Sequence, residues 1–230
     1  MASEYRFITQ ETWDAIAESF DTTRQKPWNF CLDFIDSLNQ KDVAADIGCG
    51  NGRHLIPLAN TCSSVFGVDI SMKLLRIVQK KLRNSSLKNV SLIHTDAVQL
   101  PFAKECLDVV LLIASLHNIQ GKIHRITALK EIFRVLKSQG IALISVWSRW
   151  QDRYFIYFLK QFFVHTREFG DIDIYWRQHT LDIPRFYHLY SNSEFSRELQ
   201  QVGFQIQQIK SIKIHSKRFP DNYFAIVRKR

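Results

Sequence analysis

No apolar run in this 230-residue chain approaches the roughly 18–20 residues that a membrane-crossing helix needs. Its first residues, Met1 to Tyr5, lack the basic and apolar blocks of a signal peptide, so a cytoplasmic protein without membrane contact is expected. Four cysteines, Cys31, Cys49, Cys62 and Cys106, show no CxxC spacing and no histidine at zinc-ligand distance. That pattern points to reduced thiols and to no metal site. Internal repeats and low-complexity segments are also missing. One local absence is informative: from Ile70 to Thr95 there is no acid, against Lys73, Arg76, Lys80, Lys81, Arg83 and Lys88. With Lys210, Lys213, Lys217, Arg218, Arg228, Lys229 and Arg230 near the end, the formal net charge is +9. A small-molecule enzyme has no need of this excess, whereas a nucleic acid releases counterions when its phosphates are neutralised. A solvated basic face is the competing explanation for any single cluster.

The 46% hydrophobic content suits one well-buried α/β core. Its organising stretch is Asp46-Ile47-Gly48-Cys49-Gly50-Asn51-Gly52, an apolar strand running into a glycine turn and then a helix expected near Asn51. Alternate glycines permit positive φ and close ligand approach, and free N–H groups at a helix start favour an electron-rich ligand group. About twenty residues on, Val65 to Asp69 reads as a second strand ending in an acid placed for ribose hydroxyls. Val90 to Ala97 reads as a third, with Asp96 placed for an adenine amino group, and Leu107 to Ile113 as a fourth.

This succession resembles the class I S-adenosylmethionine (SAM) methyltransferases. The turn is Asp-x-Gly-x-Gly-x-Gly, unlike the Gly-x-Gly-x-x-Gly of dehydrogenases. The resemblance implies a Rossmann-like, seven-stranded α/β sheet with SAM as cofactor. It implies cofactor contacts at Asp46, Gly48, Cys49, Gly50, Asp69, Ile70, Asp96, Ala97 and Ala114, with Asp46 near the amino acid end. Strand four leads into Ala114-Ser115-Leu116-His117-Asn118. There the chain has neither the Asn/Asp-Pro-Pro-aromatic motif of adenine-N6 enzymes nor the nucleophilic cysteine of cytosine-C5 enzymes.

Elsewhere, Trp13, Ile16, Ala17 and Phe20 form a helical stripe, and Phe30 to Leu38 a second helix behind Pro27. Ile123 to Leu136 reads as a basic amphipathic helix, closed by Lys137 to Gly140, and Gly140 to Trp147 as a fifth strand. Ser193 starts a last helix, and Gln205–Ile214 with Tyr223–Val227 reads as an antiparallel pair closing the sheet. Between Ser148 and Tyr190 periodicity fades, as in a substrate-recognition insertion. Candidates for RNA or substrate contact there are Arg149, Arg153, Arg167, Arg177, Arg185, Tyr187 and His188. One methyltransferase domain is expected, with an N-terminal helical lid (1–40), a SAM-binding core (41–147), the insertion (148–190) and a C-terminal helix and strand pair (191–230).

Three runs narrow the resemblance: Thr23-Arg24-Gln25-Lys26-Pro27-Trp28, Gly48 to Arg53, and Arg185-Phe186-Tyr187-His188-Leu189-Tyr190. Together they resemble the tRNA wobble-uridine carboxymethyl methyltransferases, over nearly the whole chain. The resemblance implies methyl-ester formation on 5-carboxymethyluridine in the tRNA anticodon loop. Arg24, Lys26, His117, Arg185 and His188 would position the carboxylate, and Trp28, Arg149 and Tyr187 would contact substrate. A His-His pair is common in that family where this chain has His117-Asn118. The resemblance also implies a small zinc-containing activator protein that adds a strand to the sheet. A small-molecule O-methyltransferase and a non-catalytic binding module stay open as alternatives.

Overall fold

A computed structural model describes residues 2–161 and 168–230. Its strands are β1 (Val43–Ile47), β2 (Ser64–Asp69), β3 (Val90–His94), β4 (Leu107–Ile113), β5 (Leu136–Trp147), β6 (Asp171–Trp176), β7 (Ile183–His188), β8 (Gln205–Ile212) and β9 (Asn222–Arg228). The helices are α1 (Ala2–Thr23), α2 (Asn29–Asp36), α3 (Leu55–Thr61), α4 (Met72–Arg83), α5 (Lys122–Val135), α6 (Phe155–Gln161) and α7 (Asn192–Val202).

Seven strands form one sheet in the order β3-β2-β1-β4-β5-β9-β8. Neighbours from β3 through to β5 pair in parallel, whereas β9 runs antiparallel to both β5 and β8. The central strands are apolar on both faces, as parallel strands covered by helices on each side must be. In β4, Val110 and Leu112 enter one core, and Val109, Leu111 and Ile113 enter the other. The same period of two splits Ala45 and Ile47 from Ala44 in β1. Chain order reverses between β1 and β4, the switch point where open α/β sheets bind ligands outside their carboxyl ends.

Helix signals in the sequence are realised as local hydrogen bonds. Ser71 Oγ caps α4 by accepting from Leu74 N–H (3.1 Å), while Leu74, Leu75 and Val78 are buried. Ser191 caps α7 in the same way through Glu194 N–H (3.2 Å).

Several expected boundaries move. The helix after the glycine turn starts at Leu55, not near Asn51, because residues 51–54 are spent in turns. Strand β3 ends at His94, so Asp96 lies on the loop beyond it. Strand β5 begins at Leu136, and the segment expected to stop the helix is its lead-in, with Gln139 at φ +67°. The aperiodic stretch contains α6 and a separate hairpin, β6 against β7. Its own small core comprises Tyr154, Phe158, Ile172, Ile174, Tyr187 and Leu189. The candidate Arg167 lies outside the described residues.

Candidate active site

A cavity of about 490 Å³ opens at the carboxyl ends of the central strands, between the glycine turn, α1, the hairpin and the β8–β9 loop. Gly48, Cys49, Gly50, Asp69, Ile70, Asp96, Ala97 and Ala114 all line it. Gly48 has φ +69°, and a Cβ there would fall 2.2 Å from Ser115 Oγ. The turn and the end of β4 therefore meet at a separation only glycine allows.

The first three N–H groups of this turn, from Gly48 to Gly50, are consumed within the protein. Gly48 and Cys49 donate to the Val68 carbonyl (2.7 and 2.9 Å), and Gly50 donates to Asp69 Oδ2 (2.7 Å). These three N–H groups are therefore not free donors for a ligand. The turn instead fixes Asp69, whose Oδ1 accepts from Ser71 N–H at 2.8 Å. Each oxygen keeps a lone pair for a ligand hydroxyl. Burial pushes the Asp69 carboxyl up to about 6, against its backbone hydrogen bonds. Asp46 does not line the cavity; it lies behind the turn, 1% exposed, with Oδ2 lacking any hydrogen-bond partner. Burial, then the neighbouring Asp69, raises it to about 8. Of the two acids, only Asp69 lines the cavity, a buried carboxylate that suits a ligand carrying positive charge, as SAM does.

Across the cavity the charge changes sign. Arg185 is 7% exposed, and its guanidinium lies over Trp176 (4.7 Å), Tyr187 (5.0 Å) and Trp13 (5.7 Å). Nη1 donates to the Tyr187 hydroxyl (2.6 Å) and Nε has no partner. Among the described residues, no carboxylate pairs with it. Arg24 also lies over Trp176 (5.4 Å) and lines the cavity. Partial burial and the Arg185 charge lower the Arg24 pKa.

His117 completes this side. Trp147 N–H donates to its Nδ1 (3.1 Å), so the neutral ring carries its proton on Nε2. Burial, then Arg185 and His188, push its pKa down to about 3. His117 is therefore an uncharged donor, stacked on Tyr187 at 5.3 Å. Trp28 and Tyr187 line the cavity too.

Four expected contact residues lie elsewhere. His188 is fully buried, with Nδ1 on Asp171 (2.8 Å) and Nε2 on Glu194 (3.1 Å). Burial opposes its charged form, but those two carboxylates outweigh it and raise the pKa. Arg149 pairs with Glu194 and gives Nε–H to the Leu189 carbonyl (3.0 Å). Both residues tie the hairpin to α7 instead of facing a ligand. Their surroundings include Glu168, His188 and Glu194, with possible ligand atoms within 4.8 Å of one another. Glu168 and Glu194 are already ion-paired to Arg125 and Arg149. Lys26 is exposed and outside the cavity, and Arg177 is exposed and paired with Asp182 (2.9 Å).

Other lining residues escaped the sequence reading. Arg53, directly after the turn, packs over Trp28 (4.5 Å), and burial lowers its pKa to about 10. Asn51 Nδ2 donates to Asp21 Oδ1 (2.9 Å) and to the Arg24 carbonyl (3.0 Å), tying the end of α1 to the turn. Lys81 Nζ joins them, at 2.5 Å from Asp21 Oδ1. An Asn following the glycines was the available signal, but its partner lies 30 positions away.

Comparison with known proteins now fixes the class. A profile described as a methyltransferase domain matches residues 45–144. The chain carries a class I SAM-dependent methyltransferase domain. It is related to the tRNA carboxymethyluridine methyltransferases. One relative, a tRNA (carboxymethyluridine(34)-5-O)-methyltransferase of Arabidopsis thaliana, is 37% identical over 140 residues, 61% of this chain and 32% of that protein. Another so described, from Schizosaccharomyces pombe, is 28% identical over 85% of this chain and 88% of its own length. The match thus spans about a third of the plant protein and nearly all of the yeast one. In fold, a Methanosarcina mazei SAM-dependent methyltransferase superposes with TM-score 0.74 at 22% identity, covering 89% of this chain and 98% of that one. A Haloferax volcanii methyltransferase, solved in complex with the Trm112 activator, gives 0.64 at 16%, covering 94% and 96%.

The cavity fits the cofactor of this domain. The buried Asp69 carboxyl in its wall marks a site for a cationic ligand; Asp69 ends β2, and Asp96 lies on the loop just beyond β3. Among the described residues, no helix is long and apolar enough to cross a membrane.

Proposed function

We propose that this chain methylates the carboxylate of 5-carboxymethyluridine at the wobble position of tRNA, forming the methyl ester. The observation that carries the proposal is Arg185, a desolvated guanidinium on an aromatic floor with no counter-charge among the described residues. A buried unpaired cation is costly, and an anionic ligand relieves the cost. A neutral acceptor would leave it uncompensated. The Arabidopsis and Schizosaccharomyces relatives support the same acceptor.

Asp69 and Asp96, with Gly48 to Gly50 and Ala97, would hold SAM, which supplies an electrophilic methyl group. Arg185 and Arg24 would orient the acceptor carboxylate. His117 would add a hydrogen bond from Nε2 without adding charge, so the nucleophilic oxygen is located but not over-neutralised. A carboxylate is ionised at neutral pH, so no side chain has to remove a proton. The aromatic lining of Trp13, Trp28, Trp147 and Trp176 would exclude water from the ester-forming atoms.

A partner that adds a strand to the sheet is part of this reading, supported by the Trm112-bound Haloferax neighbour. Strands β3 and β8 are the two outer strands where such addition is geometrically open.

The test incubates the chain, with and without the activator, with methyl-labelled SAM and tRNA bearing the free acid. Label released as methanol by mild alkali is expected. Base-stable label would replace the acceptor, and no label in tRNA despite bound SAM would favour a small-molecule acceptor. Arg185→Ala should lower ester formation about 100-fold, with SAM affinity nearly unchanged, since it removes a charged hydrogen-bonding group worth about 3 kcal/mol. Loss of SAM binding in that variant would reassign Arg185 to the cofactor.

A further inference from the structure

The loop from Lys213 to Asp221, between β8 and β9, is held in an unusual way. Asp221 accepts from the N–H groups of Ile214 (2.7 Å, Oδ1), His215 (2.6 Å, Oδ2) and Ser216 (3.0 Å, Oδ2). Asp152, from the segment after β5, accepts from the next three, Lys217 (2.8 Å), Arg218 (2.9 Å) and Phe219 (2.8 Å). Six successive amides are therefore fixed by two carboxylates. The N–H dipoles keep the Asp152 carboxyl below the usual carboxylate range, so it stays ionised at neutral pH. Phe219 stacks on Phe155 at 5.2 Å, pinning the loop's far end.

What the loop displays is cationic. Lys213, Lys217 and Arg218 are exposed, as is Arg153 beside Asp152. None of the four forms an ion pair among the described residues, because the local acids are turned onto the backbone. His215, Ser216, Lys217 and Arg153 also line the cavity, so this surface continues from its mouth. Two other cations, by contrast, are committed elsewhere: Lys81 to Asp21, and Lys229 to Glu105 (3.2 Å) and the Leu136 carbonyl (2.7 Å).

We infer that this loop is a preorganised platform for the phosphodiester backbone of the RNA loop whose base enters the cavity. The inference rests on the proposed tRNA substrate and adds the contact element and a positioning residue, Asp152. Holding the backbone rigid removes the ordering cost that long cationic side chains on a free loop would add to binding. Phosphates supply the anions that four unpaired cations lack, and they read no sequence. That suits a site which obtains its selectivity from the base inside the cavity.

Two variants separate preorganisation from charge alone. Lys213→Ala/Lys217→Ala/Arg218→Ala removes three cations, and the slope of log affinity against log salt for tRNA should fall by about 2, at about 0.7 per single-strand phosphate contact. Asp152→Ala makes the chain one unit more positive. A charge-only surface would then bind tRNA more tightly, whereas the platform predicts weaker binding, by about tenfold, with the salt slope retained. Filter binding across a salt series measures both, with thermal melts to show that each variant is folded. Unchanged affinity and slope in the triple variant, or tighter binding by Asp152→Ala, would overturn the inference while leaving the acceptor reading intact. Absence of any salt-dependent tRNA affinity in the unmodified chain would overturn both.

Discussion

Gly48→Ala tests whether the glycine turn is a steric necessity or only a conformational one. Gly48 has φ +69°, a region costing an L-residue about 1–2 kcal/mol. The added Cβ would also lie 2.2 Å from Ser115 Oγ and 2.7 Å from Ser115 Cβ, closer than real Cβ atoms come. Relief requires moving the turn or the end of β4, and overpacking of that kind costs about 1–3 kcal/mol. The combined loss is about 2–5 kcal/mol by urea denaturation, with SAM affinity falling as the turn shifts. Gly50→Ala provides the contrast. Its φ is +56°, but its nearest neighbour would be Phe20 Cε1 at 3.5 Å, an ordinary contact. Only the conformational part remains, about 1–2 kcal/mol. Ser115→Gly then completes a double-mutant cycle, because it removes both atoms that collide at Gly48. In that background Gly48→Ala should cost about as much as Gly50→Ala, leaving a coupling of about 1–3 kcal/mol. Equal losses for Gly48→Ala and Gly50→Ala, or no rescue by Ser115→Gly, would refute the steric argument.

Two further perturbations follow from the buried groups around the turn. Asp46 keeps its proton up to about pH 8, so the folded state binds more protons than the unfolded chain between its ordinary carboxylate value and that pH. Stability should therefore fall as pH rises through that window, by up to about 1.4 kcal/mol per unit. Asp46→Asn should flatten the ligand-free stability curve between pH 6 and 8 relative to the unmodified protein; identical slopes would show that Asp46 titrates normally. Asn51→Ala leaves Asp21 and the Arg24 carbonyl without the amide they share, and should cost about 1–3 kcal/mol in urea unfolding. A loss below about 0.5 kcal/mol would mean that Lys81 alone holds the end of α1.

The parallel core was legible because its signals are local. Continuous apolar runs ending in Asp69, and the glycine turn, report strands buried on both faces. The closing antiparallel pair was also placed, within a few residues. What stayed hidden depends on partners distant in sequence. In β6 the apolar Ile172, Ile174 and Trp176 alternate with Asp171, Asp173 and Tyr175, but only six residues carry the alternation. Without the β7 partner it looks like an irregular mixture. Likewise Arg149, Arg185 and His188 share one aromatic, basic neighbourhood in the sequence, yet only Arg185 reaches the cavity. What distinguishes them is which carboxylates arrive from α7 and the hairpin: Glu194 for Arg149, Asp171 and Glu194 for His188, and none among the described residues for Arg185. Composition records that the acids exist; only packing assigns them.

That assignment bears directly on chemistry. Asp69 and Asp96 stand on the β2–β3 side of the cavity, while Arg24, Arg185 and His117 stand on the side formed by α1, β7 and the end of β4. The opposite charges do not neutralise one another, since no ion pair joins the two groups among the described residues. Keeping them apart leaves the two acids and Arg185 desolvated, an arrangement that costs stability in the empty protein. It is compensated when each side meets a ligand group of opposite sign. A cationic methyl donor and a neutral acceptor would satisfy only the acids, and Arg185 would remain buried without a partner. A cationic donor and an anionic acceptor satisfy both, and the two ligands then bring their own opposite charges together where the methyl group must pass. The cost of the empty cavity is thus converted into orientation of the two reactants, which is where binding energy accelerates a reaction instead of merely tightening a complex.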